Sequence, residues 1–180
     1  MGVILAVAAL WGFAEATVFF LVPDVLLTWI ALHDRRAALR SCLAALLGAL
    51  LGGALMFAWG AREPAAARAF LDRVPAISPG MLARVEAEIA DRGALALFTG
   101  PLRGTPYKIY AVAAGGRGEE LWSFLAISVP ARLLRFLLLT LLAAWVAARP
   151  LRGWSLRRKR ALHAALWGAF YSAYFALMPN

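Results

Sequence analysis

Long apolar runs alternate with interrupted ones along this chain. Residues 37–59 and 119–148 are nearly continuous apolar runs, and each exceeds the roughly 20 residues that a helix needs to cross a bilayer. A last apolar run follows at 161–178. Residues 1–33 and 94–116 are also mainly hydrophobic, but prolines, glycines and charged residues interrupt them. The pattern predicts an all-α polytopic membrane protein in which two broken segments accompany three transmembrane helices.

The first interrupted run divides at Pro23 and Asp24. The part that follows, residues 25–32, makes only about 12 Å of helix, against a hydrocarbon core of roughly 30 Å. It cannot cross the bilayer alone. Residues 1–33 therefore form either one kinked helix or a re-entrant hairpin that enters the bilayer and returns. Pro23 favours the hairpin, because proline disrupts a helix at that point.

The second interrupted run has its breaks at closely spaced glycines and prolines. Both residue types disrupt a helix, and irregular backbone at membrane depth must be buried in protein or line a wet cavity, because lipid cannot satisfy its polar groups. We predict a second re-entrant segment here. Across both runs, the predicted breaks in the backbone are Pro23, Gly100, Pro101, Gly104, Pro106 and Gly115.

The two halves repeat one pattern, since each interrupted run precedes a full-length span. Paired interrupted segments in corresponding positions are typical of transporters built from inverted repeats. The basic residues at 35–40 and 149–160 are expected on the cytoplasmic side, which orients the spans 37–59 and 119–148 in opposite directions. The predicted fold is two inverted repeats, each a re-entrant helical hairpin followed by a tilted transmembrane helix, plus a C-terminal transmembrane helix.

Residues 60–93 are the polar part of the chain and are predicted to lie outside the membrane. Ser78 and Pro79 mark the start of a helix, and Gly93 marks its end. Between them one face is apolar and the other acidic, which predicts an amphipathic surface helix with solvated carboxylates. The apolar face comprises Met81, Leu82, Val85 and Ile89, and the acidic face Glu86, Glu88 and Asp91.

Small residues recur every four positions in the span 37–59. Rows of this kind let another helix approach closely. We expect a helix-packing face here, and a second copy of the chain in a homo-oligomer is one partner that could pack on it. Alternatively, the rows only reflect the general richness of the chain in alanine and glycine. The two rows are Ala44, Gly48 and Gly52, and beside them Ala45, Ala49 and Gly53.

The composition of the chain favours a membrane class. The 180 residues are 63% apolar and 16% charged, with a mean hydropathy of +0.72, whereas soluble domains are about half apolar and a quarter charged. The net charge of +9 is distributed between hydrophobic spans, so it fits positive-inside topology and anionic lipid headgroups better than nucleic acid. We therefore expect a single membrane domain that binds no nucleic acid.

The sequence offers few residues for covalent or metal chemistry. Cys42 is the only cysteine, so there is no disulfide framework and no cysteine-based metal site. His33 and His163 are expected at the membrane interface, without other metal ligands near them. No nucleophile with an adjacent base and no nucleotide-binding motif is present. We predict a protein that is not an enzyme and has neither metal nor cofactor.

Six ionisable residues fall within the predicted membrane segments. Each costs a few kcal/mol to insert, and such residues usually face an interior, pair with each other or mark a pathway. The four cations are predicted to bind a phosphate or headgroup, since arginine matches phosphate oxygens bidentately, and the two acids are predicted to couple transport to protons. The residues are Glu15, Asp24, Arg103, Lys108, Arg132 and Arg135.

A purely structural role is the alternative for these six residues. The acids and cations would then form ion pairs with one another, or Asp24 and Arg103 would lie at the interface and snorkel. Four cations against two acids leave positive charge unmatched, however. A bound anionic ligand would balance this excess positive charge.

Three motifs together resemble those of a known family. The first is Glu15 followed by Pro23-Asp24. The second is the pattern Phe98…Pro101…Arg103…Pro106-Tyr107-Lys108…Ala114-Gly115. The third is the basic pair Arg132 and Arg135 on one predicted helix. On these motifs, about residues 10–145 resemble the DedA family of bacterial inner-membrane proteins, also called SNARE-associated or VTT-domain proteins, and within it the small YqaA-like branch.

The resemblance implies two re-entrant hairpins that meet at the bilayer midplane. It also implies flipping or scrambling of lipids, notably undecaprenyl phosphate, with proton coupling. The family's functional acids would correspond to Glu15 and Asp24, and its essential arginines to Arg103 and Arg132. Lys108 departs from the family, many members of which have arginine there, so the resemblance leaves the substrate of this branch open.

The sequence therefore predicts a multi-pass protein of the bacterial inner membrane that moves a phosphate-bearing lipid across the bilayer together with protons. Its partners would be a phospholipid or polyprenyl phosphate, protons and the bilayer itself. Two alternatives stay open. One is a small-ion or small-solute transporter that uses the same hairpins, and the other is a non-transporting scaffold that organises the membrane.

Overall fold

The computed structural model of the protein describes residues 1–98, 100 and 104–177, with the side chain of residue 94 excepted. These residues are mainly helical and include no strand. Pro101 and Arg103, two of the predicted site residues, lie outside them. The helices are α1 (Gly2–Thr17), α2 (Asp24–Ala31), α3 (Arg35–Arg62), α4 (Pro64–Leu71), α5 (Pro79–Arg92), the 3-10 helix Gly93–Phe98, α6 (Tyr107–Gly116), α7 (Leu121–Ala148) and α8 (Leu156–Leu177).

Two helices, α3 and α7, are long and apolar enough to cross a bilayer. Each has 28 residues, or about 42 Å of helix against a hydrocarbon core of roughly 30 Å. The sequence predicted both spans. The predicted third span corresponds to α8, whose 22 residues are sufficient in length but do not reach the same hydropathy, because basic residues fill its first turn and polar aromatic residues recur in the rest.

Helix α3 lies at the centre of the fold, with α1 packed along its first half. Glycines make this contact close. A Cβ atom on Gly48 would collide with the backbone of Ala9 and Phe13, and one on Gly12 would collide with the carbonyl of Ala45. The small-residue rows predicted as a packing face are therefore used within one chain.

Helix α6 packs against the second half of α3 in the same way. Gly60 lies against the backbone of Val112, and Gly115 lies against the carbonyl of Phe57. Gly115 was predicted to break the backbone, but it lies inside α6. Its missing side chain allows two helices to touch. Together α1, α3 and α6 form a unit packed backbone against backbone, which we call the glycine-packed frame.

The two interruptions of the helices lie close to where the sequence predicts them. Residues 18–23 are not helical, and α2 begins directly after Pro23. In the second interrupted run, α6 begins after Pro106, and Gly104 adopts a positive φ of 77° that L-residues rarely adopt. We call residues 18–23 the first break.

The polar segment forms α4 and α5, and α5 matches its prediction residue by residue. The Ser78 hydroxyl accepts a hydrogen bond from the Met81 amide at 3.3 Å, Pro79 is the first helical residue, and Gly93 follows the helix with a φ of 56°. The four predicted apolar positions are its buried residues: Met81, Leu82, Val85 and Ile89.

Two of the three carboxylates of α5, Glu86 and Asp91, are exposed as predicted, whereas Glu88 is half-buried. Glu86 forms an ion pair with Arg68 of α4, and Glu88 accepts a hydrogen bond from the Tyr110 hydroxyl of α6 at 2.7 Å. The polar segment thus shares one core with α3, α6 and α7.

A stripe of exposed leucines follows the outer face of α3. Its members recur every four residues, so they lie along one side of the helix. An exposed apolar stripe of this length is typical of a surface that faces lipid or another protein. The residues are Leu43, Leu47, Leu51 and Leu55.

Candidate functional site

A cavity of about 550 Å³ lies beneath α8. It extends along this helix from Lys159 near its start to Tyr174 near its end, a length of about 22 Å at 1.5 Å per residue. Its lining is mainly apolar. Helices α7 and α8 contribute apolar and aromatic residues to it, among them Leu139, Leu142, Val146, Leu166, Phe170 and Tyr171.

Charged side chains line this cavity between its two ends. Four of the six ionisable residues predicted from the sequence line it, and they come from four different helices. A fifth, Arg132, is buried behind them and does not line the cavity. The structure brings these five together as one charged cluster: Glu15, Asp24, Lys108, Arg132 and Arg135.

Glu15 and Arg132 form the tighter of two ion pairs in the cluster. Their side chains are 6% and 2% exposed, and the guanidinium donates a hydrogen bond to the carboxylate. The guanidinium also lies over the rings of Tyr107, at 4.5 Å, and Phe136, at 5.2 Å. Tyr107 is itself fixed by donating a hydrogen bond to the Ser128 hydroxyl at 2.9 Å. This pair connects α1 to α7 and has little freedom to move.

Asp24 and Arg135 form a looser pair. The carboxylate of Asp24 and a guanidinium nitrogen of Arg135 are 3.0 Å apart, but their geometry is not that of a hydrogen bond. Asp24 is only 1% exposed, yet neither of its carboxylate oxygens accepts a hydrogen bond from any of the described residues. Arg135 is 20% exposed and lines the cavity. A buried carboxylate without hydrogen bonds is costly, and the amino end of α2, where Asp24 lies, offsets part of that cost.

Lys108 joins the two interrupted regions of the chain. Its ammonium group donates a hydrogen bond to the Phe19 carbonyl in the first break at 2.7 Å, and the side chain is buried. It lines the cavity beside Glu15. Within the part of the chain that the structure describes, this carbonyl is its one hydrogen-bond partner and no carboxylate forms an ion pair with it.

Side chains from distant helices satisfy the backbone of the first break. Trp11 of α1 donates to the Leu21 carbonyl at 3.0 Å, and the Val22 amide donates to the Tyr171 hydroxyl of α8 at 2.9 Å. With Lys108 on the Phe19 carbonyl, three polar backbone groups of the break are bonded to protein. Irregular backbone at membrane depth requires such partners.

The inner face of α8 contains polar aromatic residues whose contacts the sequence did not reveal. His163, for which the sequence predicts a position at the membrane interface, is buried within the protein, with its Nε2 atom 2.9 Å from the Thr28 hydroxyl of α2. The indole of Trp167 donates to the same hydroxyl at 3.2 Å. His163, Trp167 and Tyr171 recur every four residues, and this spacing is the signal that could have placed them on one face.

The charges of the cluster do not cancel. Arg132, Arg135 and Lys108 oppose Glu15 and Asp24, which leaves one net positive charge among the described residues. Arg103, the sixth predicted residue, lies outside the described residues. The arrangement is a cationic centre in an apolar cavity, and this suits an anionic group attached to a hydrocarbon.

No cluster of three or more histidine, cysteine or acidic side chains suited to a metal ion occurs in the described ranges. Comparisons with known proteins give no further guide to the site: no family model matches the chain, and neither does any curated protein or solved structure.

Proposed function

We propose that the protein is a multi-pass carrier of the bacterial inner membrane, of the DedA type, that moves a phosphate-bearing lipid such as undecaprenyl phosphate across the bilayer with proton coupling. The observation that supports this most is the cavity beneath α8, which combines an apolar lining with a net positive centre. A headgroup that crosses hydrocarbon needs a local opposite charge, because an unpaired charge in a low dielectric is costly.

The dimensions of the cavity support a path for the headgroup. Its length of about 22 Å is most of a hydrocarbon core of roughly 30 Å, and the charged cluster lies between its two ends. The apolar lining on either side suits the hydrocarbon chain of the lipid. Lys159 at one end adds a cation where an anionic headgroup would arrive.

The lengths of the first two helices support a re-entrant hairpin. α1 has 16 residues and α2 has 8, or about 24 Å and 12 Å, and neither crosses a core of roughly 30 Å in full. The bond from Lys108 to the first break connects this hairpin to the second interrupted segment. We infer that the two segments are inverted repeats that meet at the cluster, with α3 and α7 as the tilted helices that follow them and α8 as the third span.

Vesicles with purified protein test the proposal. We expect them to flip a fluorescent polyprenyl phosphate, faster with a pH gradient than without one. The double variant Lys108→Gln/Arg135→Gln should reduce flipping at least tenfold, because it removes two of the three cations of the cluster. Arg84→Gln is the matched control, since Arg84 is an exposed cation on α5 that does not line the cavity, and it should flip at the unsubstituted rate.

Each of the other outcomes favours a different function. A flipping rate that does not depend on the pH gradient would indicate a passive scramblase. If the double variant flips at the rate of Arg84→Gln, the cluster does not bind the headgroup and the proposal is wrong. If no phosphate lipid moves, the small-solute transporter or the scaffold becomes the better hypothesis.

A further inference from the structure

The two ion pairs of the charged cluster differ in a way that assigns them different tasks. Glu15–Arg132 has a hydrogen bond, two aromatic rings against the guanidinium and an arginine that the cavity does not reach. Asp24–Arg135 has no hydrogen bond, and both of its members line the cavity. A headgroup in the cavity can therefore contact Arg135 directly, whereas Arg132 is reached only after Glu15 is displaced.

We infer that Asp24 and Arg135 are an exchangeable pair: a phosphate monoester displaces Asp24 from Arg135, and the displaced carboxylate takes up one proton. The inference rests on the proposed function, and it names both the class of headgroup and the residue that couples its binding to a proton. The pair Glu15–Arg132 stays intact throughout and only positions α1 against α7.

The surroundings of Asp24 explain why displacement requires a proton. The carboxylate is buried and has no hydrogen-bond donor among the described residues, so Arg135 is the group that compensates its charge most directly. When a phosphate binds the Arg135 guanidinium, an ionised Asp24 would remain in a low dielectric without a paired cation. Such a state costs several kcal/mol. Protonation removes the charge and with it the cost.

Other charged and polar groups surround Asp24 on the neighbouring helices. None of them replaces Arg135, because Arg132 is engaged by Glu15, Lys108 is bonded to the first break, and the remaining groups are neutral or acidic in their ordinary forms near neutral pH. They are Glu15 of α1, Cys42 of α3, Lys108 of α6, Arg132 of α7, and Tyr171 and His163 of α8, the last through Thr28.

The net charge of the cluster indicates which class of phosphate headgroup it binds. With Asp24 ionised, the described cluster carries one net positive charge, and with Asp24 protonated it carries two. A phosphate monoester has a second ionisation near about 6 and is close to a dianion above neutral pH, so it matches the protonated cluster. A phosphate diester is a monoanion and matches the cluster with Asp24 still ionised and paired with Arg135, so it has no reason to displace Asp24. Binding of a monoester should take up a proton, and binding of a diester should not.

Calorimetry on the purified full-length protein in detergent tests this directly. The probes are dodecyl phosphate, a monoester, and methyl dodecyl phosphate, a diester of the same chain length. Titrations at about pH 7.5, above the second ionisation of a monoester, in two buffers of different ionisation enthalpy give the number of protons taken up. We expect about one proton for the monoester and none for the diester. This comparison needs no variant.

Variants assign the proton to its residue. Asp24→Asn keeps the shape of the side chain, and we expect it to bind the monoester without proton uptake. Between about pH 7.5 and pH 9 its affinity should fall less steeply than that of the unsubstituted protein, and the two slopes should differ by up to about tenfold for each pH unit. His163→Gln controls for the nearby histidine and should retain the uptake of one proton. Unchanged gel-filtration profiles verify that each variant is folded.

The possible failures are distinguishable. If the monoester binds without proton uptake, or if Asp24→Asn still takes up the proton, the exchangeable pair is wrong while the proposed carrier is untouched. Uptake that disappears in His163→Gln would also overturn the inference, because it would assign the proton to the histidine. If neither probe binds and vesicles flip no lipid, the proposed function fails and the inference fails with it.

Discussion

Two regions of the molecule, the glycine-packed frame and α8, are held in place by different interactions. In the frame, α1 and α6 touch α3 backbone against backbone, and several of its glycines have no room for a side chain. α8 lies over a cavity, and His163 is its one buried residue. Its glycine, Gly168, has open space around it. One region depends on close packing and the other on separate side-chain hydrogen bonds and ring contacts.

This difference indicates which part of the protein can move. Protein interiors at full packing density do not deform continuously, so the frame is expected to behave as one body. Hydrogen bonds of about 1 kcal/mol each are broken and reformed easily, and those from Thr28 and Val22 to α8 are of this kind. A carrier needs a rigid site and a movable cover. The frame suits the first role and α8 the second.

The largest effect should come from Glu15→Gln, which removes the ion pair between the frame and α7. The substitution leaves the buried Arg132 guanidinium without a counter-charge, and breaking a buried pair in this way costs about 3–5 kcal/mol. Heating the purified protein and following its tryptophan fluorescence or its retention on gel filtration should show a large loss of stability.

A double-mutant cycle sharpens this prediction. The variant Glu15→Gln/Arg132→Gln removes both charges, so it should recover part of the stability that the single variant loses. Lost stability of less than about 1 kcal/mol in Glu15→Gln would mean that the pair is solvated, and the contrast with Asp24–Arg135 would then disappear.

The second effect concerns packing, and the chain supplies its own matched control. Gly48→Ala places a methyl group against the Ala9 backbone and should cost about 1–3 kcal/mol of folding free energy. Gly168→Ala adds the same methyl group to α8 in open space, where the better helix propensity of alanine should stabilise the helix by up to about 1 kcal/mol. Thermal unfolding of the two variants side by side measures the difference. Equal changes in both would contradict the distinction between the two regions.

The features that the sequence predicted well depend on neighbours along the chain. The start of α5 follows from Ser78 and Pro79, its end from Gly93, and its buried face from helical periodicity, so a window of sixteen residues contains the whole argument. The spans α3 and α7 follow from length and hydropathy for the same reason. The first break likewise follows from Pro23 and the short run after it.

The features that the sequence could not predict depend on distant partners. It showed that acids and cations share the membrane segments, but not that Glu15 selects Arg132 while Asp24 contacts Arg135, since all pairings have suitable chemistry. The bond between His163 and Thr28 joins residues 135 positions apart. Gly115 shows a different limit, because glycine marks a break and a close helix contact equally well, and only the approach of Phe57 decides between them.

The smallest effect should come from the contact between α8 and the first break. Tyr171→Phe removes the hydroxyl that accepts the Val22 amide and keeps the ring, so it should cost about 1 kcal/mol. In hydrogen-exchange mass spectrometry, peptides from α8 and residues 18–23 should exchange up to about fivefold faster, a factor that corresponds to about 1 kcal/mol. Peptides from α3 should not change. An equal acceleration in α3 would show that α8 and the frame open together, and the cavity would then lack a separately movable cover.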